Sequence, residues 1–233
     1  MTEAVSPKFI QFAKKVLPES PVICDIGSRD ALEGMYLLQQ LNGKSLHIFE
    51  PNPMAADICR RNLGHVTDAS VVFNQVAVTD KSGEMKFYAV NPTLSDNKDI
   101  GFSSLFRINP DYTRRRGCHV HDEVIVTGTT LDQYFIGREQ PDLLWVDAEG
   151  AELQVFRGAT NVLRGVSLIH AEVSFQPMQI GKPLFWDIRK HLDDCGFAFY
   201  GFMKISTFRG FLYRHRLLPN SPWRLDAVFY RTQ

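Results

Sequence analysis

A short apolar segment, Val22–Ile26, limits the possible folds of this chain more than any other feature. It follows Pro21 and ends at Gly27, a pattern typical of a parallel strand that is buried on both faces. A helical pattern over residues 31–41 and a second apolar run over residues 46–49 come next. A strand, a helix and a strand within about thirty residues form a βαβ unit, which pairs its strands in parallel. The sequence therefore predicts an α/β fold.

The alternation of strands and helices continues along the chain. Further strands are predicted over residues 70–78, 85–90, 124–126, 142–146, 166–173, 197–205 and 225–231, and helices over residues 54–63, 151–163 and 183–195, with a short one beginning at Thr130. Residues 91–123 contain several prolines and glycines and are expected to form loops or an insertion over the site. We expect one doubly wound domain over residues 1–233 with a terminal antiparallel pair of strands. Residues 1–20 would be a helical extension, and residues 206–223 a hairpin connection.

Composition and charge exclude several classes of protein. Hydrophobic residues make up 44% of the chain and charged residues 22%, which excludes a disordered, collagen-like or coiled-coil protein. The 26 basic and 26 acidic residues leave no net charge, which argues against nucleic acid as the partner. No C-x-x-C pair is available for zinc or a redox disulfide. Because neither a signal peptide nor a long apolar stretch is evident, we expect a cytoplasmic protein without a membrane span, although peripheral membrane contact stays open.

Acidic residues follow or end most of the predicted strands. In open α/β sheets, ligands bind beyond the carboxyl ends of the strands. The acidic residues near those ends are Asp25, Glu50, Asp80, Asp147 and Glu172. We therefore expect the functional site at this edge of the sheet.

The turn after the first strand favours a nucleoside cofactor that lacks a pyrophosphate. It reads DIGSRD over residues 25–30 and lacks the G-x-G-x-x-G pattern of a dinucleotide site. The charge of Asp25 near the helix start would repel phosphates, and it suits a cationic or zwitterionic ligand. Glu50 ends the second strand, where a carboxylate can accept hydrogen bonds from both hydroxyls of a ribose.

Several short motifs carry a resemblance to a known family. They are VICDIG from Val22, FEPNP from Phe49, AVTD from Ala77, SSL from Ser103, TLD from Thr130, WVDAEGAE from Trp145 and RLDAVF from Arg224. In this order they resemble the FkbM-type family of S-adenosylmethionine-dependent methyltransferases, over about residues 20–232. The pairing of FEPNP with VDAEGAE is the most specific part.

The resemblance implies a class I methyltransferase fold, Rossmann-like, with seven mostly parallel strands of which the last is antiparallel. It also implies S-adenosylmethionine as cofactor and a hydroxyl of a sugar, glycan or polyketide-like natural product as methyl acceptor. It implies that Asp25 and Gly27 border the methionine part of the cofactor, that Glu50 holds the ribose, that Val76 or Ala77 flanks the adenine and that Asp147 lies nearest the sulfonium. The further residues expected to bind the cofactor are Ser28, Arg29, Pro51, Asn52 and both Val76 and Ala77. The first loop departs from the family's commoner Gly-Ala-Asn, and Arg29 is expected to pair with the cofactor carboxylate.

Methyl transfer to a hydroxyl needs a base for the hydroxyl proton. The candidates are Asp147, Glu149, His170 and Glu172, of which we prefer Asp147 or Glu149. Glu149 also suits the first turn of a helix, where it would complement the helix dipole. His170 is a candidate for acceptor contact, or else a neutral histidine of the core. Ser103 and Ser104 are expected to line the acceptor pocket or the cofactor site.

Two other patterns are less specific. The string CHVHD over residues 118–122 places two histidines and an aspartate close together, but the spacing is not diagnostic, and we predict no metal site. Arginines at positions 114–116, 209, 214 and 216 would contact a phosphate-bearing acceptor or form a solvated surface. Apolar and aromatic residues between positions 208 and 223 would form a cap on the core or a membrane contact.

Three alternative functions stay open. A Rossmann-type oxidoreductase or sugar-nucleotide epimerase shares the strand-end glycine and acid, but it needs a second glycine that this chain lacks. A noncatalytic nucleoside-binding module is expected to lack the strand-end acids. A nucleic-acid methyltransferase would bring a broader basic face. No oligomeric state is predicted.

Overall fold

The computed structural model of the chain describes residues 5–64, 66, 70–95, 100–116, 120–203 and 224–232, with the backbone alone at residues 114–116. The strands within these residues are β1 (Val22–Ile26), β2 (Ser45–Phe49), β3 (Val71–Asn74), β4 (Ala77–Val78), β5 (Gly83–Val90), β6 (His121–Thr129), β7 (Leu143–Val146), β8 (Leu168–Ser174), β9 (Phe197–Phe202) and β10 (Arg224–Arg231). The helices are α1 (Pro7–Val16), α2 (Leu32–Gln40), α3 (Pro53–Leu63), α4 (Pro110–Arg116), α5 (Leu131–Tyr134), α6 (Glu152–Arg157) and α7 (Phe185–Asp194). Short 3₁₀ turns lie at Ile100–Phe102 and Val162–Arg164.

Seven strands form the main sheet, in the order β3-β2-β1-β7-β8-β10-β9. In this order, each neighbouring pair of the first five strands (β3, β2, β1, β7 and β8) is parallel. Strand β10 is antiparallel to both of its neighbours, β8 and β9. Strand β10 therefore inserts between β8 and β9 and is the one antiparallel member among the described strands of this sheet. The expected α/β fold with a mostly parallel seven-stranded sheet is confirmed.

Apolar layers cover both faces of this sheet, which explains why its central strands are continuous apolar runs. On one face, Ile23 of β1 packs in a cluster with Phe9 of α1 and Leu37 of α2. On the other face, Ile26 belongs to a cluster with Phe156 of α6 and residues of α7. The strands are therefore held in place from both sides, and their carboxyl ends form one common edge.

A second, three-stranded sheet has the order β4-β6-β5 and was not expected. The prediction of a single strand over residues 70–78 is wrong, because Val71–Asn74 pair with β2 whereas Ala77–Val78 pair with β6. The apolar pattern runs through both pieces without a break, but the chain leaves the main sheet after Asn74, and Val76 and Ala77 then line the cleft described below. The strand predicted over residues 124–126 is longer and pairs with all of β5.

Several helices are shorter than predicted. The helix predicted over residues 151–163 is divided into α6 and a 3₁₀ turn. The division falls at Gly158, where a Cβ atom would lie 2.1 Å from the carbonyl oxygen of Thr79. Thr130 caps α5 by accepting a hydrogen bond from the amide of Gln133, as the capping pattern predicts. Among the helices within the described ranges, none is long and apolar enough to cross a membrane.

Candidate active site

A cleft lies at the carboxyl ends of β1, β2, β7 and β8 and encloses about 970 Å³, part of which is open to solvent. Eleven of the residues that the sequence assigned to the site line it: Gly27, Ser28, Arg29, Glu50, Pro51, Val76, Ala77, Ser103, Asp147, Glu149 and Glu172. Four others, Asp25, Asn52, Ser104 and His170, are buried and are not part of its lining. Asp80 is exposed at the end of β4, in the small sheet, so its expected place at the strand edge of the main sheet is wrong.

The turn after β1 is held tightly between the two neighbouring strands. The amides of Gly27 and Ser28 both donate to the carbonyl oxygen of Phe49, at 2.9 and 3.2 Å. On the other side, the amide of Asp147 donates to the carbonyl oxygen of Ile26 at 2.8 Å. Gly27 has a φ of +81°, a backbone conformation that glycine adopts without strain. The turn therefore brings backbone, rather than side chain, to the floor of the cleft.

Glu50 is buried at the end of β2 and is fixed by two backbone amides. The amide of Arg29 donates to one carboxylate oxygen and the amide of Asn52 to the other, each at 2.8 Å. Burial raises the pKa of Glu50 to about 7, although the two amides favour the ionised form. Each oxygen of a carboxylate has a second lone pair, so Glu50 can still accept hydrogen bonds from a ligand in the cleft.

Asp25 lies behind the same turn and is almost inaccessible. Its side chain is covered by Gly34, where a Cβ atom would lie 2.5 Å from Oδ2 of Asp25. The hydroxyl of Ser28 donates to the same oxygen at 2.5 Å. Burial raises the pKa of Asp25 to about 7. The carboxylate thus serves the turn itself and does not face the cleft.

Three carboxylates converge where β7 and β8 end. Asp147, Glu149 and Glu172 each place an oxygen within 4.8 Å of the others. Burial, followed by repulsion from its acidic neighbours, raises the pKa of Asp147 well above its ordinary value, and the same causes raise the pKa of Glu172 to about 8. Burial also raises the pKa of Glu149. Oδ1 of Asp147 and Oε2 of Glu149 have no hydrogen-bond partner among the described residues.

Arg224, the first residue of β10, brings a positive charge into direct contact with this acidic cluster. Its guanidinium donates to Glu149 at 2.8 Å and to Glu172 at 3.0 Å. The same group lies over the ring of Phe102, 4.9 Å from its centre. Arg224 therefore stabilises the ionised form of two of the three carboxylates, whereas Oδ1 of Asp147 has no hydrogen-bond partner in the described part of the chain.

The two serines of the SSL motif make structural contacts. Ser103 accepts hydrogen bonds from Asn52 Nδ2 and from the amide of Val90, at 2.9 and 3.0 Å. Ser104 donates to the carbonyl oxygen of Glu149 at 2.7 Å. Because Glu149 has a φ of +46°, this contact holds a strained turn in place.

His170 lies on β8, away from the cleft. It is 3% exposed and stacks on Trp145, with ring centres 3.5 Å apart. Its Nε2 lies 3.9 Å from Asp226. The histidine is thus enclosed within the layer between the sheet and α1.

Several expectations fall outside the described residues. These are the positions Cys118 and His119, the arginines 209, 214 and 216, the side chains of residues 114–116, and the segment 206–223. Of the CHVHD string, His121 and Asp122 begin β6, where Asp122 accepts a hydrogen bond from Asn91 at 2.9 Å.

Comparison with known proteins gives the family. Residues 25–199 match the model of the "Methyltransferase FkbM domain". The chain belongs to the FkbM methyltransferase family. The 2-O-methyltransferase NoeI of Sinorhizobium fredii (strain NBRC 101917 / NGR234) is 32% identical over 165 residues, which cover 70% of this chain and 67% of NoeI. Methyltransferase sdnD of Sordaria araneosa is 28% identical over 161 residues, and the match covers 61% of each protein.

The fold agrees with this assignment. The SMU.1697c protein of Streptococcus mutans, solved in complex with SAH, superposes with a TM-score of 0.54 at 9% identity, over the full length of both chains. The resemblance inferred from the sequence motifs is therefore confirmed. This FkbM protein is an S-adenosylmethionine-dependent methyltransferase with a class I fold.

Arg224 and Glu33 are among the charged residues of the FkbM methyltransferase site that were missed in the sequence. Arg224 was recognised only as the start of the closing strand, although a strand antiparallel to β8 must begin near the carboxyl end of β8. Glu33 also lines the cleft. It lies in the first turn of α2, directly after the loop that follows β1, and this position in the sequence could have indicated it. Both residues follow from topology rather than from a motif.

Proposed function

We propose that this FkbM methyltransferase methylates a hydroxyl of a small polyhydroxylated acceptor, namely a sugar, a glycan or a glycosylated natural product. The observation that carries the proposal is the acidic cluster of Asp147, Glu149 and Glu172 around Arg224, on the β7 and β8 side of the cleft. Glu50 lies on the β2 side of the same cleft. The acceptor would bind at the acidic cluster, and the nucleoside would bind beside Glu50.

The β2 side of the cleft fits a nucleoside. Glu50 offers the free lone pairs of a carboxylate whose position is fixed by two amides, which suits the hydroxyls of a ribose. Val76 and Ala77 add apolar lining for an adenine ring. Gly27 adds backbone to the lining of the cleft between the ends of β1 and β7. We therefore assign the cofactor site to these residues, with Ser28, Arg29 and Pro51 beside them.

S-adenosylmethionine, when bound, supplies an electrophilic methyl group on a positively charged sulfur. The acidic cluster favours a cation next to it. We assign to Asp147 the role of the base that accepts the proton of the acceptor hydroxyl. Its Oδ1 has no hydrogen-bond partner among the described residues, whereas Glu149 and Glu172 are paired with Arg224. A base whose pKa is raised toward the working pH is well matched to this step.

Glu149 and Glu172 would hold the acceptor. A carboxyl group accepts hydrogen bonds in its ionised form and keeps acceptor capacity when it is protonated, so two of them in one cleft suit an acceptor with several hydroxyl donors. The hydroxyl-directed activity of NoeI, as its name gives it, supports the same class of acceptor. Family membership does not favour the oxidoreductase, epimerase or noncatalytic alternatives.

The cofactor assignment is tested by calorimetric titration with S-adenosylmethionine, S-adenosylhomocysteine, NAD and NADP. We expect binding of the first two, and loss of that binding in the Glu50→Ala variant. Binding of a dinucleotide, or unchanged affinity in the variant, would contradict the assignment.

The acceptor is tested with S-adenosylmethionine that carries a labelled methyl group. The panel contains free sugars, alkyl glycosides, nucleotide sugars and primary amines. We expect label on a sugar hydroxyl, and preference for nucleotide sugars would extend the proposal to phosphate-bearing acceptors. Transfer to amines alone would overturn the proposal of O-methylation.

A further inference from the structure

The methionine end of S-adenosylmethionine carries an ammonium and a carboxylate. A buried ammonium needs an anionic or neutral acceptor within hydrogen-bond distance. Asp25 is the acid that the sequence placed there, but it is 1% exposed and lies beneath Gly34. Its Oδ2 already accepts the hydroxyl of Ser28. An acceptor other than the carboxylate of Asp25 must therefore face the ammonium.

Glu33 is the acid in the right place. It lines the cleft together with Gly27, Arg29 and Asp30, next to the turn after β1. One of its oxygens, Oε2, accepts a hydrogen bond from Nε1 of Trp145 at 3.0 Å. Its other oxygen, Oε1, receives no hydrogen bond from the described part of the protein. Glu33 is thus half-buried, oriented and still able to accept.

The indole of Trp145 fixes this orientation. Its ring is 3% exposed, stacks on His170 with nearly parallel planes, and contacts Phe9 edge-on with ring centres 5.2 Å apart. A side chain packed on both sides cannot rotate away from Glu33. Trp145 therefore acts as a positioning residue, and the buried histidine beneath it supports the indole.

Arg29 supplies the opposite charge. Its side chain is half-exposed, also lines the cleft and pairs with Asp30 at 3.7 Å, and its positive charge acts against the rise in the pKa of Glu33 that burial causes. An anion and a cation side by side at one wall of the cleft match the two charges of an α-amino acid.

We propose that Glu33, oriented by Trp145, binds the α-ammonium group of the cofactor in place of Asp25. This inference rests on the proposed binding of S-adenosylmethionine in the cleft. It assigns a cofactor contact to a residue of α2 that belongs to none of the family-like motifs. It also gives the Trp145 and His170 stack a function in the site.

The test compares three ligands by calorimetry. S-adenosylhomocysteine carries the ammonium, its 4-mercaptobutyrate analogue lacks only the ammonium, and 5′-methylthioadenosine lacks the whole amino acid. For Glu33→Gln we expect the Kd of S-adenosylhomocysteine to rise about 10- to 100-fold, the effect of losing a charged hydrogen bond, with the other two ligands changed less than about 3-fold. Trp145→Phe should show the same selectivity with a smaller rise, of about 3- to 10-fold.

Glu139→Gln serves as the control, because Glu139 is an exposed carboxylate paired with Lys44 outside the cleft. Thermal melting of each variant shows whether it is folded. Equal weakening of all three ligands by Glu33→Gln, or no change for S-adenosylhomocysteine, would overturn the inference while leaving the cofactor assignment in place. A wild-type protein that binds none of the three ligands would overturn both.

Discussion

A side chain on Gly27 would collide with the backbone of Asp147, because a Cβ atom at residue 27 would lie 1.8 Å from the carbonyl oxygen of residue 147. The close approach joins the cofactor turn after β1 to the acidic turn after β7. Gly27→Ala should lower the free energy of unfolding by about 2–4 kcal/mol, since the collision adds to the strain of a positive φ. Urea unfolding measures the loss.

Gly181→Ala is the matched control for this substitution. Gly181 has a φ of +78°, close to that of Gly27, but no atom of the described residues lies within 4 Å of its Cβ position. The control should lose only about 1–2 kcal/mol of the free energy of unfolding, the cost of a positive φ for a residue that has a Cβ atom. If the two variants lose the same stability, the approach of β1 to β7 is not what requires glycine at position 27.

Asp147→Asn should reduce kcat about 10²- to 10⁴-fold, because an amide cannot accept the hydroxyl proton. The shape of the site changes little, so we expect the KM for S-adenosylmethionine to stay within about 3-fold of wild type. Steady-state kinetics with the acceptor found in the panel measure both values. A kcat close to wild type would remove Asp147 as the base and leave Glu149 as the next candidate.

The acidic cluster was predictable from the sequence only in part. Asp147 and Glu172 were placed together correctly because parallel strands end at one edge of a sheet, and this follows from strand order alone. Arg224 was missed because it enters from an antiparallel strand that comes more than fifty residues after Glu172.

Side-chain direction was equally hidden in the sequence. Asp25 belongs to a recognisable motif, but only the packing of α2 shows that Gly34 covers its carboxylate. The break between β3 and β4 was missed for a similar reason, since Gln75 and Val76 interrupt the pairing without interrupting the apolar pattern. Strand order and strand-end chemistry were therefore predictable, while contacts set by tertiary packing were not.

Arg224→Met should move the acidic limb of the pH dependence of kcat/KM to higher pH by about one unit or more. The guanidinium opposes the rise in the pKa of Asp147, Glu149 and Glu172, so removing it raises each pKa further and keeps the base protonated to higher pH. Lys182 is a second positive charge near the cluster and Glu152 a further negative one, and both remain. Arg224→Lys keeps the charge and should keep most of the profile. An unchanged acidic limb in Arg224→Met would show that Arg224 does not influence the pKa of the base.

The cofactor-free protein should be more stable at pH 5 than at pH 8. The pKa of Glu172 is about 8 in the folded protein, because of burial and repulsion from Glu149, and about 4.3 in an unfolded chain. Between those values the folded state binds the proton and the unfolded state does not, so stability is fully present below about pH 4 and is lost as the pH rises toward 8. Asp25 and Glu50, each with a pKa of about 7, act in the same direction.

Urea unfolding at pH 5 and pH 8 measures this difference, which we expect to be on the order of a few kcal/mol. Glu172→Gln should reduce it, because an amide does not titrate, whereas Glu139→Gln on the exposed surface should leave it unchanged. If wild type and Glu172→Gln lose the same stability between the two pH values, Glu172 is ionised in the folded protein throughout. The charge of Arg224 would then lower the pKa of Glu172 by more than burial raises it.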